Sequence, residues 1–180
     1  SDLTGSTALY TSAGDAAAFR LVDDHFDVLR KAIDKHGGTV VKTMGDAIMA
    51  AFTEPLQCVR AAIACLHAFE TFRVDAANGE LTGLKLGLFS GPCYVVTANE
   101  AIDYFGQTVN CASRVQHCAE TGELVFEEEV WDRLPEEDRE KLRLVDRLET
   151  TVKGVAHPLK LVRTKLAQEV VSLRMVASAG

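Results

Sequence analysis

No stretch of the sequence approaches the roughly 18 continuous apolar residues of a membrane-spanning helix, and no basic-then-apolar leader opens it. The 180-residue piece therefore reads as soluble, with no membrane contact of its own. Basic residues are scarce beside acidic ones: 19 Lys and Arg face 26 Asp and Glu, a formal net charge of −7, and no basic stripe breaks the mixed-sign pattern. That balance argues against a nucleic-acid partner. An anionic substrate would need metal ions and a few placed cations. The five cysteines are an odd number without a CxxC, which excludes a disulfide framework and a zinc site. Cys58 and Cys65, like Cys111 and Cys118, are separated by about 10.5 Å of helix rise, too far to bridge. A reducing cytoplasm is the expected setting. None of the five histidines has metal-ligand spacing such as HExxH, and neither GxGxxG nor GxxxxGK[ST] occurs. Any nucleotide is thus held by something other than a glycine-rich phosphate loop.

What is present suits one domain with a proper core, at 47% hydrophobic and 25% charged residues. The organising stretch is Val41 Lys42 Thr43 Met44 Gly45 Asp46 followed by an apolar run over 47–52. It predicts a hairpin whose strands are 39–41 and the run from Ala47, with Met44 Gly45 Asp46 as the turn and a carboxylate at the tip. A second acid, Asp2, sits directly before the polar turn Leu3 Thr4 Gly5 Ser6 Thr7. Two such carboxylates brought together suit hard cations and a phosphorylated substrate. Taken singly, each reads as a turn or capping acid. The sequence lacks an initiating Met, and Asp2 falls in a strand with almost nothing before it. A piece of a longer protein is expected, with upstream domains outside it.

Phe19, Val22, Phe26, Leu29 and Ile33 recur at helical steps, so 16–36 is an expected helix stopped by Gly37 Gly38. Thr53 Glu54 Pro55 opens a second helix, carried on by Val59, Ile63, Leu66 and Phe69. Leu84, Leu86 and Leu88 alternate as a half-buried strand, Gly91 Pro92 breaks it, and 93–97 is its expected partner strand. The segment 99–106 reads as polar with two aromatics, and 107–118 as a helix. After it come a short strand at 124–126, an acidic helix over 127–134, a helical turn from Pro135, and a final strand pair at 142–148 and 158–162. The domain is expected to span 1–163, with 164–180 as a helical or frayed tail. This order of hairpins and helices predicts an α+β fold with an antiparallel or mixed sheet and helices on one face.

Four patterns occur together and in order: Asp2 Leu3 Thr4 Gly5 Ser6 Thr7, Lys42 Thr43 Met44 Gly45 Asp46, the block from Asp103 Tyr104 Phe105 Gly106 to Asn110 and Arg114, and Val152 Lys153 Gly154. Jointly they resemble the class III nucleotide cyclase catalytic domain, whose sheet is ferredoxin-like. The resemblance runs from Asp2 to about Val162. It implies that Asp2 and Asp46, helped by the carbonyl of Leu3, bind two divalent cations, Mg or Mn. It further implies that Asn110 orients the ribose, that Arg114 stabilises the α-phosphoryl transition state, and that Lys153 holds the terminal phosphates. At the base-reading positions the family has Lys and Asp for adenine but Glu and Cys for guanine, so Lys42 and Asp103 imply ATP. A cationic donor suits adenine N1, and a carboxylate suits the exocyclic amine. Each site in the family lies between two subunits arranged head to tail, and this chain carries both residue sets, which implies a homodimer. The implied activity is an adenylyl cyclase making cyclic AMP and pyrophosphate. Guanylyl cyclase activity, or a silent nucleotide-binding and dimerisation module, are the alternatives. A diguanylate cyclase needs a GGDEF-type run that Met44 Gly45 Asp46 Ala47 Ile48 lacks. Phe89 stands where many relatives have His.

Overall fold

The computed structural model describes residues 1–75, 82–98, 101–152 and 155–167. In chain order the elements are β1 (Asp2–Thr4), α1 (Ser6–Ala13), α2 (Asp15–Lys35), β2 (Thr39–Met44), β3 (Ala47–Ala51), α3 (Pro55–Asp75), β4 (Gly83–Gly87), β5 (Tyr94–Ala98), β6 (Ala101–Phe105), α4 (Gln107–His117), β7 (Glu123–Glu127), α5 (Glu128–Asp132), α6 (Glu136–Arg139), β8 (Leu142–Thr150) and β9 (Leu159–Leu166). Five strands form a mixed sheet in the order β1-β4-β7-β9-β8, while β2–β3 and β5–β6 are separate hairpins. Only the β4–β7 pair is parallel within the five-stranded sheet. The α+β class and the mixed sheet agree with the sequence reading.

Strand alternation divides the core in two. Leu84, Leu86, Leu124, Phe126 and Val162 belong to one buried cluster with Phe26, Leu29 and Ile33 of α2 and Val59, Ile63, Leu66 and Phe69 of α3. Their sheet neighbours Val125 and Leu161 point the other way. They pack in a second cluster with Val115 of α4 and Ala119 just beyond it. The expected helical layer is the α2–α3 pair, and α4 adds a cover on the opposite face. The apolar stripe of α2 explains its length: Val22, Phe26, Leu29 and Ile33 are all buried.

Four local features differ from the sequence reading. The polar turn after Asp2 shrinks to Gly5, at φ 84°, and Ser6–Ala13 is a helix ended by Gly14 at φ 77°. Thr7, Ala8 and Tyr10 on α1 are exposed, so it carries no strong apolar stripe to betray it. Met44 belongs to β2, which leaves Gly45 Asp46 as a two-residue turn with Gly45 at φ 63°. The strand from Tyr94 does not pair with β4, because β1 and β7 already occupy both edges of β4. It pairs instead with Ala101–Phe105, a strand inside the segment read as polar. Finally, β9 continues to Leu166, three residues past the expected domain end. The expected tail from residue 168, and Lys153 with Gly154, lie outside the described residues.

Candidate active site

Ser1 ties the two acid-bearing elements together. Its nitrogen donates to Ile48 O at 2.9 Å, and its Oγ accepts from Ile48 N at 2.8 Å. Asp2 therefore starts β1 beside the hairpin whose tip carries Asp46. Leu3 is fully buried in the core and fixes the strand, whereas Asp2 and Asp46 remain half-buried. Neither carboxylate has a hydrogen bond or ion pair among the described residues. No cluster of three or more His, Cys, Asp or Glu side chains converges among them either. Two free carboxylates without further protein ligands fit magnesium-type binding, in which substrate phosphates and water complete the shell.

Lys42 and Asp103 are 61 residues apart and meet directly. Lys42 Nζ donates to both carboxylate oxygens, at 2.7 and 2.9 Å. The Lys42 hydrogen bond, aided by the Tyr104 N–H at 2.8 Å, holds the Asp103 carboxyl below the usual carboxylate range. The ammonium also lies 5.8 Å from the centre of the Phe105 ring. A bulge places Lys42 there: Val40 pairs with Ala50, but Lys42 pairs with Met49, leaving Val41 as the extra residue.

A cavity of about 630 Å³ is lined by Lys42, Tyr104, Phe105, Gly106, Gln107, Val109 and Asn110. A second, of about 540 Å³, is lined by Asn110, Ser113, Arg114, His117 and Val152. The two meet at Asn110, on the first turn of α4. Neither is lined by Asp2 or Asp46. The chain thus carries a cavity surface bearing Lys42 and Asn110, a neighbouring one bearing Arg114, and a separate acidic edge. Lys42, Asp103, Asn110 and Arg114 come together; Asp2, Leu3 and Asp46 form the other group. Val152, directly before Lys153 in sequence, is buried at the second cavity. Sequence reading took in Phe105 and Ser113 within the block from Asp103 to Arg114 without giving either a role, and did not single out His117. The spacing 110, 113, 114, 117 was the available signal for Ser113 and His117.

Comparison with known proteins supplies the family. Residues 1–168 match the adenylate and guanylate cyclase catalytic domain, and the chain belongs to that family. It is 25% identical to the receptor-type adenylate cyclase GRESAG 4.1 of Trypanosoma brucei brucei, over 89% of this chain and 16% of that protein. It is 26% identical to an adenylate cyclase of Mycobacterium tuberculosis, over 93% of this chain and 39% of that protein. The chain therefore spans well under half the length of these curated relatives. In fold it is similar to the crystal structure of the adenylyl cyclase CyaB from P. aeruginosa, with a TM-score of 0.72, 21% identity, and coverage of 93% and 92% of the two chains.

Proposed function

We propose that this domain is an adenylyl cyclase that converts ATP to 3′,5′-cyclic AMP and pyrophosphate at sites shared across a head-to-tail homodimer. The observation that carries the choice of base is the Lys42–Asp103 pair, whose lysine lines the first cavity. It presents one donor and one acceptor side by side, the complement of adenine N1 and its exocyclic amine. Asn110, where the two cavities join, orients the ribose. Arg114, one helical turn further, meets the α-phosphoryl group, where its planar and permanently charged donors stabilise the transition state. Lys153 holds the terminal phosphates as a point charge. Asp2, Asp46 and the Leu3 carbonyl would hold two Mg or Mn ions. Bound there, such ions lower the pKa of the attacking 3′-hydroxyl and neutralise the departing pyrophosphate. The separation of the acidic edge from both cavities supports shared sites, in which the partner's acids complete this chain's base and ribose surface.

The test is product analysis with ATP and GTP in Mg or Mn, using wild type, Asp46→Ala, Arg114→Ala, and an equal mixture of the two variants. Wild type is expected to make cyclic AMP and little cyclic GMP, and each variant alone neither. Random pairing makes half the dimers mixed, each with one intact site of two, so the mixture recovers about a quarter of wild-type activity. No recovery above either variant alone refutes shared sites. Nucleotide binding by a dimer that gives no cyclic product identifies a silent module.

A further inference from the structure

Asn110, Ser113, Arg114 and His117 recur at i, i+3, i+4 and i+7, which stacks them on one face of α4. All four line the cavity of about 540 Å³. Asn110 and Arg114 have roles in the reaction proposed above, and His117 has none. Its Nδ1 lies 2.5 Å from the Ser113 carbonyl oxygen. A carbonyl only accepts, so Nδ1 carries the proton and the ring is fixed against its own helix. The other nitrogen, Nε2, has no hydrogen-bond partner among the described residues. A side chain bonding back to the carbonyl four residues earlier accounts for the Nδ1 contact on its own. It does not account for the ring lining the same cavity as Arg114.

We infer that His117 is a further polyphosphate-positioning residue, an inference that rests on the cyclase reading. With Nδ1–H on Ser113, Nε2 is the nitrogen left for the cavity, and it bonds a non-bridging oxygen of the β- or γ-phosphate through one shared proton, drawn from solvent or from the phosphate itself, one turn beyond the α-phosphoryl contact of Arg114. Bonds of this kind are charge-assisted and report on the phosphates alone. The residue holds the chain of phosphates in line and takes no part in the bond-making step.

The test compares wild type with His117→Ala, His117→Gln and His117→Arg in the full domain. KM for ATP and product inhibition by pyrophosphate are measured in Mn, with calorimetric binding of inorganic pyrophosphate and of adenosine alongside. His117→Ala is expected to raise KM and weaken pyrophosphate about tenfold, with a much smaller fall in kcat. Adenosine binding stays unchanged, His117→Gln is intermediate, and His117→Arg restores the phosphate affinity. Unchanged KM and pyrophosphate affinity together with a lower melting temperature overturn the inference and leave only the local bond to Ser113. Equal losses for adenosine and pyrophosphate overturn it as well, because they indicate general distortion of α4. If wild type gives no cyclic product, the cyclase reading falls, and the calorimetric comparison still decides for or against His117.

Discussion

Gly87 is a point of close approach between the sheet and α4. A Cβ at this position would lie 2.3 Å from both the Cα and the N of Gln116. Those are backbone atoms, so no rotamer change relieves the overlap. Ordinary contact begins at about 3.4 Å, so Gly87→Ala requires a separation of roughly 1 Å. β4 is pinned by β1 on one edge and by β7 on the other, where Gly87 pairs with Val125. α4 rests on the sheet mainly through Val115, against Val125 and Leu161. The helix is therefore the part that yields, and Asn110 and Arg114 move with it. Overpacking of this kind costs about 2 kcal/mol, which for a domain of this size lowers Tm by roughly 4–8 °C. A displacement of about 1 Å in groups that orient a reaction costs on the order of 100-fold in rate. Thermal unfolding and steady-state cyclic AMP formation, measured well below Tm, read the two effects separately. A Gly87→Ala variant with Tm within about 2 °C and kcat within about twofold of wild type would refute the reasoning.

Two further predictions concern stability. Burial works against the charges of Glu123 and Asp138, yet Arg163 at 2.8 and 2.9 Å, and Lys141 and Arg60 at 2.9 and 2.8 Å, outweigh it and hold both carboxyls below their usual range. Their contribution is present above the ordinary carboxylate range and fades as pH falls through about 4; urea midpoints measured from pH 7 to 3 should drop there, less steeply in Glu123→Gln, and a flat profile contradicts the assignment. His25 is fully buried between Phe26 and Phe69, with Nδ1 2.5 Å from the Val22 carbonyl oxygen and Nε2 without a hydrogen-bond partner among the described residues. His25→Leu removes that orphaned atom together with the Nδ1–Val22 contact at similar volume and is expected to gain about 1 kcal/mol in urea unfolding, whereas a loss of that size would mean that the Val22 bond outweighs the orphaned nitrogen.

The parts of the fold that were legible in the sequence are those with one dry face. α2 and α4 declared themselves through helical spacing of buried residues, and β4 and β7 through runs that end in the core. β6 did not, because Ile102 and Phe105 are 60% and 51% exposed and no buried face imposes alternation on Ala101–Phe105. The same exposure hid the pairing of β5, whose Tyr94 is 78% exposed. At the site, Asp46 was legible from its turn, but nothing local pairs Lys42 with Asp103. That contact depends on two separate hairpins docking, and only a resemblance covering all four patterns could point to it.

The bulge at Val41 links these two levels. Val40 and Ala50 face each other across the hairpin and pack against the core, as does Ile48 opposite Thr43. In an unbroken strand, Lys42 would share the face of Val40, because side chains two apart point the same way. Its ammonium would then enter the cluster formed by Ile48, Ile63 and Leu66. The extra residue resets the alternation, so Lys42 pairs with Met49 on the outward face and reaches Asp103. Asp46 stands four residues on, at the tip beyond the restored register. One inserted residue thus lets a single hairpin serve the core through Val40 and Ile48, the contact with Asp103 through Lys42, and the acidic edge through Asp46. A strand read by its alternation alone would assign Lys42 to the wrong face, which is why its placement is visible in the structure and not in the local pattern.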